Sequence, residues 1–174
     1  MAVQAPINFQ KWIEEHRHLL KPPVGNQVVY EDTEFIVMVV GGPNSRKDFH
    51  YNEGEEFFYQ IEGDIVVRIE ENGAIRDVPI KEGEIFLLPA RVPHSPNRGE
   101  GSIGLVIERR RREDERDGLM WFCENCNTKL YEEYFRLENI ITQFQGVFER
   151  FYANENARTC SNCGTVMEAP STIS

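Results

Sequence analysis

The sequence has no long apolar run and comparatively few basic residues. No stretch approaches the roughly 20 consecutive apolar residues that a membrane-spanning helix needs. The first segment, MAVQAPINFQKWIEEHRHLL, contains no apolar core and no small-residue cleavage site of the kind found in secretory signals. With 19 basic against 29 acidic side chains, the net charge of −10 opposes general binding to nucleic acids or anionic lipids. We therefore expect a soluble cytoplasmic protein whose partners include no nucleic acid and no membrane.

Unpaired cysteines are also missing, because all four fall into two Cys-x-x-Cys pairs, Cys123/Cys126 and Cys160/Cys163. Without an export signal, this spacing favours a tetrahedral zinc or iron site over disulfides. Residues 127–159 separate the pairs, a longer stretch than the ~15–20 residues of a zinc-ribbon loop. A thioredoxin-like redox pair would need a βαβ setting, and a nucleic-acid-binding ribbon conflicts with the acidic charge. We favour a structural metal knuckle.

What the sequence does contain is a succession of short apolar segments. Asn8 is expected to cap an amphipathic helix that stops at Pro22-Pro23. Seven strand-like segments follow, rich in Val, Ile, Phe and Tyr: QVVYED, EFIVMVVGG, EEFFYQIEG, DIVVRIEE, AIRDVPI, EIFLLPA and SIGLVIER. With no helices between them, they predict a mainly β fold, an antiparallel barrel or sandwich such as a jelly roll.

The C-terminal third has a different pattern. It opens with IERRRREDERD, whose four arginines are followed at once by acids, so we expect a solvated loop. A strand, KLYEEYFRL, and a helix with apolar residues at helical spacing come next, and TVMEAPSTIS is expected to be a loose end. We predict a barrel with its N-terminal helix over residues 1–118 and a small four-cysteine metal-binding segment packed on it over residues 119–174.

Two histidine-containing blocks lie in the β-rich region, His50-x5-Glu56-x6-Gly and Gly-x5-Pro-x4-His94. They resemble the paired motifs of the cupin superfamily, although Asn52 stands where the first block usually has a second histidine. Two imidazoles and one carboxylate suit a non-haem Fe(II) site with open coordination positions, and ligand type alone also allows Zn(II) or Mn(II).

The same residues have a plain structural interpretation. A single histidine beside a strand is more often structural, and Glu55 with Glu56 could form an exposed edge. The presence of two blocks in the expected order favours the metal site. Because side chains alternate along a strand, Glu55 should then point away from Glu56.

Three charged residues flank the blocks. Arg46 and Arg98 lie near the two histidines in sequence, and Glu108 ends the strand SIGLVIE on the face that would point into the barrel. Arginines beside an iron site suit an anionic substrate, because a guanidinium grips a carboxylate through two parallel hydrogen bonds. Alternatively, both arginines lie at the surface and Glu108 pairs with one of the arginines at 109–112.

Seven stretches together resemble one family over nearly the whole chain: NFQKWIEEHRHLLKPPVGN, VVGGPNSRKDFHYNEGEEFFYQIEG, EGEIFLLPARVPHSPNR, LVIERRR, WFCENC, FERFYA and CSNCG. They are similar to the 3-hydroxyanthranilate 3,4-dioxygenase family, in its bacterial and fungal form with a C-terminal rubredoxin-like metal site. This resemblance implies a double-stranded β-helix, or cupin barrel, Fe(II) at the catalytic site, a second iron or zinc at the cysteines, and a homodimer. It further implies extradiol-type cleavage of 3-hydroxyanthranilate, a small aromatic acid, by O₂ to 2-amino-3-carboxymuconate semialdehyde. That product leads to quinolinate and pyridine nucleotides in the kynurenine pathway.

The resemblance also assigns roles to residues of this chain. The metal ligands are His50, Glu56 and His94 for the catalytic iron, and Cys123, Cys126, Cys160 and Cys163 for the second metal. Arg46 takes the role of the O₂-contacting arginine and, with Glu108, that of a catalytic residue. Arg98, Glu108 and Glu56 take the substrate-binding roles. Ser45 and the short loop GEGSIG depart from the family pattern without affecting a ligand.

Two other functions use the same ligands. One is a cupin that binds a metal and a small acid without oxygenating it, and O₂ consumption separates it from a dioxygenase. The other is a zinc-dependent isomerase or hydrolase, which metal analysis separates from an iron enzyme.

Overall fold

The structure, a computed structural model, describes residues 3–22, 25–44, 46–138 and 140–170, with only the backbone at 140–142. The predicted helix stop at Pro23, the family departure at Ser45 and the loose end beyond residue 170 lie outside the described residues. Within these ranges, no helix combines the length and the apolar character needed to cross a membrane.

Eleven strands and three α-helices occur within the described ranges. The helices are α1 (Phe9–His16), α2 (Ile140–Ala153) and α3 (Glu155–Arg158), and a 3₁₀ turn, Arg17–Leu19, follows α1. The strands are β1 (Asn26–Val28), β2 (Phe35–Gly41), β3 (Phe49–Tyr51), β4 (Glu56–Glu62), β5 (Ile65–Glu71), β6 (Ala74–Ile80), β7 (Ile85–Leu88), β8 (His94–Arg98), β9 (Ile103–Arg109), β10 (Asp117–Phe122) and β11 (Lys129–Phe135). As predicted, Asn8 caps α1, its side-chain oxygen accepting from the Lys11 amide at 2.9 Å.

The strands form two antiparallel sheets, in the orders β1-β2-β9-β4-β7 and β11-β10-β3-β8-β5-β6. Side chains from both sheets meet in one apolar core. Its fully buried members are Phe58, Leu88 and Val106 from the first sheet and Ile65, Val67, Ile69 and Ile80 from the second. Removing these side chains from water is the main force that holds the sheets together. The predicted mainly β fold, a double-stranded β-helix with an N-terminal helix, is confirmed.

Three strands of the second sheet were not predicted: β3, β8 and β10. Strands β3 and β8 have the sequences FHY and HSPNR, in which polar residues occupy buried positions. They pair with each other, and the paired residues are His50 and His94. The two histidine blocks therefore meet side by side in one sheet.

The C-terminal segment packs directly on the barrel. Strand β10 pairs with β3 on one side and with β11 on the other. Trp121 of β10 is fully buried and stacks on Phe151 of α2, with ring centroids 4.2 Å apart. Strand β10 also runs across the predicted boundary at residue 118, so the two parts share a sheet. The division into 1–118 and 119–174 stays a prediction.

One outer surface of the first sheet is only partly covered. Helix α1 packs over one end, where Ile13 and Val39 are fully buried. Beyond α1 lie apolar side chains on neighbouring strands, which we call the open sheet face: Phe35, Phe57, Ile85, Leu87 and Ile107. Phe35, Ile85 and Leu87 are 54%, 66% and 53% exposed. An apolar area of this kind is typical of a protein contact surface.

Candidate active site

Three buried side chains converge inside the barrel: His50 from β3, Glu56 from β4 and His94 from β8. Glu56 Oε2 lies 3.2 Å from His94 Nε2, and Glu56 Oε1 lies 3.8 Å from His50 Nδ1. One donor atom from each residue lies within 4.8 Å of the other two. The structure thus brings together the three residues that the sequence blocks singled out.

Strand register explains this convergence. His50 and His94 are direct cross-strand partners in the second sheet, and Glu56 is the partner of Glu108 in the first. Residues directly opposite each other on neighbouring strands have Cβ atoms roughly 5 Å apart, close enough for a shared site. Glu55 is exposed, as strand alternation predicts.

Burial and mutual attraction set the charges of the three residues. Burial raises the pKa of Glu56, but the charge and hydrogen bond of His94 and the charge of His50 outweigh it, so the net pKa lies below the usual value. Burial lowers the pKa of His50. Burial also lowers the pKa of His94, but Glu56 raises it by more. The site therefore combines a carboxylate that favours its ionised form with two imidazoles, a set of groups that can bind a cation.

The donor set fits a divalent transition metal. His94 Nδ1 lies 3.0 Å from the Val92 carbonyl oxygen, so this nitrogen donates there and leaves Nε2 free toward Glu56. Two imidazoles and one carboxylate suit Fe(II) with open positions, and also Zn(II) or Mn(II). All three residues are at most 7% exposed, so a bound ion would lie in nearly dry surroundings.

Asn52, at the position of the usual second histidine, connects two carboxylates. It is 3% exposed, and its Nδ2 donates to Glu56 Oε1 at 3.1 Å and to Glu108 Oε2 at 2.9 Å. Its Oδ1 accepts from the Gly54 amide at 2.9 Å. The sequence pattern indicated no contact for Asn52 at the site, whereas in the structure Asn52 links the carboxylate of Glu56 to that of Glu108.

Glu108 points into the barrel from β9, on the same face as Val106, as the strand pattern predicted. It is 5% exposed, and its Oε1 lies 2.8 Å from Arg111 Nη1. The alternative expectation, that Glu108 pairs with one of the arginines at 109–112, is therefore also met, but the pair lies inside the barrel. Burial and the charge of Glu56 raise the pKa of Glu108 to about 7, against the attraction of Arg111.

The prediction of a solvated arginine loop is wrong for Arg111. Its side chain is only 8% exposed and donates to Asp117 from Nε at 2.9 Å and from Nη2 at 2.7 Å. Asp117 is fully buried and also lies 2.6 Å from His50 Nε2. The reason is the acid at the start of the buried strand DGLMWF, which draws one arginine inward. An acidic residue opening an apolar segment was the available sequence signal.

Arg98 is a buried cation with a neutral partner. It is 4% exposed, and its Nη1 donates to Gln60 Oε1 at 3.3 Å. Gln60 uses its amide hydrogens on the carbonyl groups of Glu62 and Ile103, at 2.8 and 3.1 Å, and therefore presents its oxygen to Arg98. No carboxylate among the described residues forms an ion pair with Arg98, and burial lowers the pKa of Arg98 to about 10.

Arg46 lies at the edge of the site. Its guanidinium donates to both carboxylate oxygens of Asp48 and lies over the Phe144 ring, 5.8 Å from the centroid. The Phe144 ring in turn lies 5.2 Å from the His50 ring. Burial lowers the pKa of Arg46, but the charges of Asp48 and Glu56 raise it by more, so the cation is within electrostatic reach of the carboxylate at the centre. In the sequence, Phe144 is only one of several apolar residues at helical spacing, so its place beside Arg46 could not be predicted.

The four cysteines form a second cluster next to β10. Cys123 Sγ lies 3.6 Å from Cys163 Sγ, and Cys126 Sγ lies 3.5 Å from Cys160 Sγ. In each pair the amide of the first cysteine donates to the carbonyl group five residues further on, at 2.8 Å. Hydrogen bonds from Thr165 lower the pKa of Cys163 to about 5. Four close sulfurs on two matching loops fit a closed tetrahedral zinc or iron site.

A sequence profile of the 3-HAO family, described as 3-hydroxyanthranilic acid dioxygenase, matches residues 1–152. Proteins named 3-hydroxyanthranilate 3,4-dioxygenase from Xanthomonas euvesicatoria pv. vesicatoria (strain 85-10) and Ruegeria pomeroyi are 59% and 54% identical to this chain. Each match covers 95% of this chain and 93% of the relative. A solved cupin-2 domain protein from Shewanella frigidimarina is 20% identical, with a TM-score of 0.49 over 60% of this chain and 94% of that chain. Because the profile and the close relatives both cover most of its length, the chain belongs to the 3-hydroxyanthranilic acid dioxygenase family.

Proposed function

We propose that this chain is an Fe(II)-dependent dioxygenase that opens the ring of 3-hydroxyanthranilate with O₂ and yields 2-amino-3-carboxymuconate semialdehyde. Its family and the names of its relatives support this activity. The observation that carries the proposal is the buried set of His50, Glu56 and His94, in a barrel that also holds a buried arginine, Arg98, with no acidic partner among the described residues. Fe(II), when bound by these three residues, would supply the redox chemistry that lets O₂ react with an electron-rich ring.

Arg98 is the proposed partner of the substrate carboxylate. A buried guanidinium whose side-chain partner is a neutral amide keeps most of its charge available to an incoming anion. A bound carboxylate would restore the interactions that Arg98 lost with water. The same contact orients the ring, because a bidentate pair fixes both position and plane.

Glu108 is the proposed proton acceptor for the ring hydroxyl, and with Glu56 it lines the substrate position. A carboxylate with a pKa of about 7 can take and return a proton near neutral pH. Arg111 and Asn52 each hold one of its oxygens, so its orientation is set before substrate arrives.

Arg46 is proposed to contact O₂ and to stabilise the negative charge that dioxygen gains during the reaction. Its charge already acts on Glu56 and His94, which places it within electrostatic reach of the reacting groups. Asp48 fixes the guanidinium from behind, and the Phe144 ring supports it. We assign the second metal, iron or zinc, to the four cysteines as a structural ion.

We further propose a cytoplasmic homodimer. Paired cysteines that suit a metal and not disulfides favour a reducing compartment. The open sheet face is a surface on which a second copy of the chain would bury apolar area. In the cell, the unstable semialdehyde product would cyclise to quinolinate, which places the enzyme in the kynurenine route to pyridine nucleotides.

The proposal is tested by adding 3-hydroxyanthranilate to protein loaded with Fe(II) under anaerobic conditions and then admitting O₂. We expect O₂ consumption together with an absorbance increase from the semialdehyde. Full iron loading without O₂ uptake would instead indicate a cupin that only binds a metal and an acid. His50→Ala, Glu56→Ala and His94→Ala should each lose the barrel iron, and zinc in place of iron in the active protein would contradict the assignment.

A further inference from the structure

Asp117 and Arg111 form a buried ion pair directly behind the triad. Asp117 is fully buried and makes contact with two partners: His50 Nε2 at 2.6 Å, and Arg111 through Nε and Nη2 at 2.9 and 2.7 Å. Arg111 also orients Glu108, whereas Asp117 takes no part in the reaction proposed above. A buried ion pair usually adds little net stability, because both charges lose their hydration. Its place beside a metal ligand therefore suggests a role in the site.

The pair decides which nitrogen of His50 carries the proton. The Asp117 carboxylate accepts two hydrogen bonds from the Arg111 guanidinium, from Nε at 2.9 Å and from Nη2 at 2.7 Å, which is the geometry of an ionised carboxylate paired with a cation. An ionised carboxylate can only accept, so we assign the ring proton to His50 Nε2. The other nitrogen, Nδ1, then has a free lone pair and lies 3.8 Å from Glu56 Oε1.

The same pair holds Glu108. Arg111 Nη1 lies 2.8 Å from Glu108 Oε1, and Glu108 Oε2 accepts from Asn52 at 2.9 Å. Asn52 also donates to Glu56 Oε1 at 3.1 Å, and this hydrogen bond connects Glu108 back to the triad. The result is a ring of buried polar contacts that runs from His50 through Asp117, Arg111, Glu108 and Asn52 to Glu56. One arginine thus connects a metal ligand to the proposed proton acceptor.

We propose that Asp117 and Arg111 are positioning residues: they hold His50 with Nδ1 toward the metal and Nε2–H toward Asp117, and they fix the carboxylate of Glu108. His94 is set the opposite way, with Nδ1 donating to the Val92 carbonyl and Nε2 facing Glu56. The two histidines would therefore bind one ion through different ring nitrogens. The inference rests on the proposed metal site, but not on the ring-opening reaction.

The direct test is ¹⁵N NMR of the imidazole nitrogens in the full-length protein, first without a barrel metal and then with Zn(II) as a diamagnetic probe. We expect His50 to be protonated at Nε2 in the first state and to bind Zn(II) through Nδ1 in the second. A proton on Nδ1, or Zn(II) bound through Nε2, would overturn the proposal. This measurement needs no variant and no enzymatic activity.

The second test compares Asp117→Asn with wild type. The asparagine keeps the shape but removes the charge and offers a donor, so Nε2 loses its preference for the proton. We expect a mixed His50 tautomer and an affinity for Zn(II), measured by chelator competition, that is lower by about 10–100-fold. Wild-type affinity with an unchanged tautomer, even at a reduced Tm, would mean a purely structural role and would overturn the proposal.

Arg109→Gln is the matched control. Arg109 pairs with Glu115 across the same loop that Arg111 and Asp117 close, but its side chain lies outside the ring of contacts. We expect Arg109→Gln to change neither the His50 tautomer nor the affinity for Zn(II). If its effect were as large as that of Asp117→Asn, the two effects would come from a disturbed loop, which would contradict the proposal. Inactivity of the wild-type enzyme toward 3-hydroxyanthranilate would refute the proposed function and leave these results unaffected.

Discussion

Gln60 determines how much of the Arg98 charge a ligand can use. Its amide oxygen satisfies one guanidinium hydrogen without neutralising the cation. In Gln60→Glu, a carboxylate in the same place would form an internal ion pair and compete with the substrate. We expect KM for 3-hydroxyanthranilate to increase by at least about tenfold, with a smaller change in kcat, because the substitution weakens substrate binding more than it affects the chemical step. Steady-state kinetics at saturating O₂ measure both constants.

The control for this prediction is Gln60→Met, which removes the hydrogen bond and adds no charge. It should increase KM by less than Gln60→Glu does. If the two variants behave alike, the Arg98 charge does not select the substrate and the role proposed for it is wrong.

Glu108 should control the acid side of the pH profile. It accepts a proton only as the carboxylate, so kcat/KM should decrease as the pH falls through its pKa, which is about 7 without a bound cation. A cation at Glu56 offsets the charge that raises this pKa, so the decrease should occur at or below pH 7. Glu108→Gln should remove this decrease and lower kcat by about 100-fold or more. A pH profile of kcat/KM for both proteins gives the answer.

The exposed neighbour Glu55 provides the comparison. Glu55→Gln should leave the profile unchanged, because its side chain points away from the site. An acid limb that persists at the same pH in Glu108→Gln would assign the titration to another group.

At the scale of elements, the sequence predicted the apolar strands well, including β4 with Glu56, and the two strands that carry the histidine ligands poorly. Segments such as DIVVRIEE alternate in hydrophobicity because one face lies in the core. Strands β3 and β8 bury His50, His94 and Arg98 instead, so hydropathy does not mark them as strands. The ligands were found by motif spacing and family resemblance. Asp117 was missed because its arginine partner lies in a run that resembles a solvated loop.

The two cysteine loops, when they share one metal ion, would hold the C-terminal segment in its folded form. Cys160→Ser should remove the second metal and lower the Tm by more than about 4 °C, since even 1 kcal/mol shifts a chain of this size by ~2–4 °C. The barrel metal should remain, because none of its ligands lies in this segment. Thermal unfolding and metal analysis measure the two effects.

Ser161→Ala tests whether any change in this loop has the same effect. Ser161 is exposed between the two cysteines, and its replacement should alter neither Tm nor metal content. Loss of barrel iron in Cys160→Ser would contradict two independent metal sites.

At the scale of the whole molecule, the open sheet face is the feature that a single chain leaves unexplained. We expect a mass in solution of twice the chain mass of 20.2 kDa. Leu87→Asp should shift the protein to the monomer, because a buried aspartate would lose its hydration without a partner. Light scattering after size-exclusion chromatography measures the mass of each protein.

Leu19→Asp is the corresponding control, since Leu19 is 40% exposed on the 3₁₀ turn and lies outside the open sheet face. It should leave the dimer intact. A monomeric wild-type protein would refute the dimer. A Leu87→Asp variant that remains dimeric would show that the dimer contact lies on another surface.

We propose that the triad and its charged neighbours incorporate both atoms of O₂ into one aromatic acid. The most direct measurement is the mass of the ring-opened product formed by Fe(II)-loaded protein from 3-hydroxyanthranilate under ¹⁸O₂, trapped before it cyclises. We predict a product that carries two labelled oxygen atoms, formed at one O₂ per substrate. A product whose new carboxylate carries no labelled oxygen would contradict dioxygenase chemistry at this site.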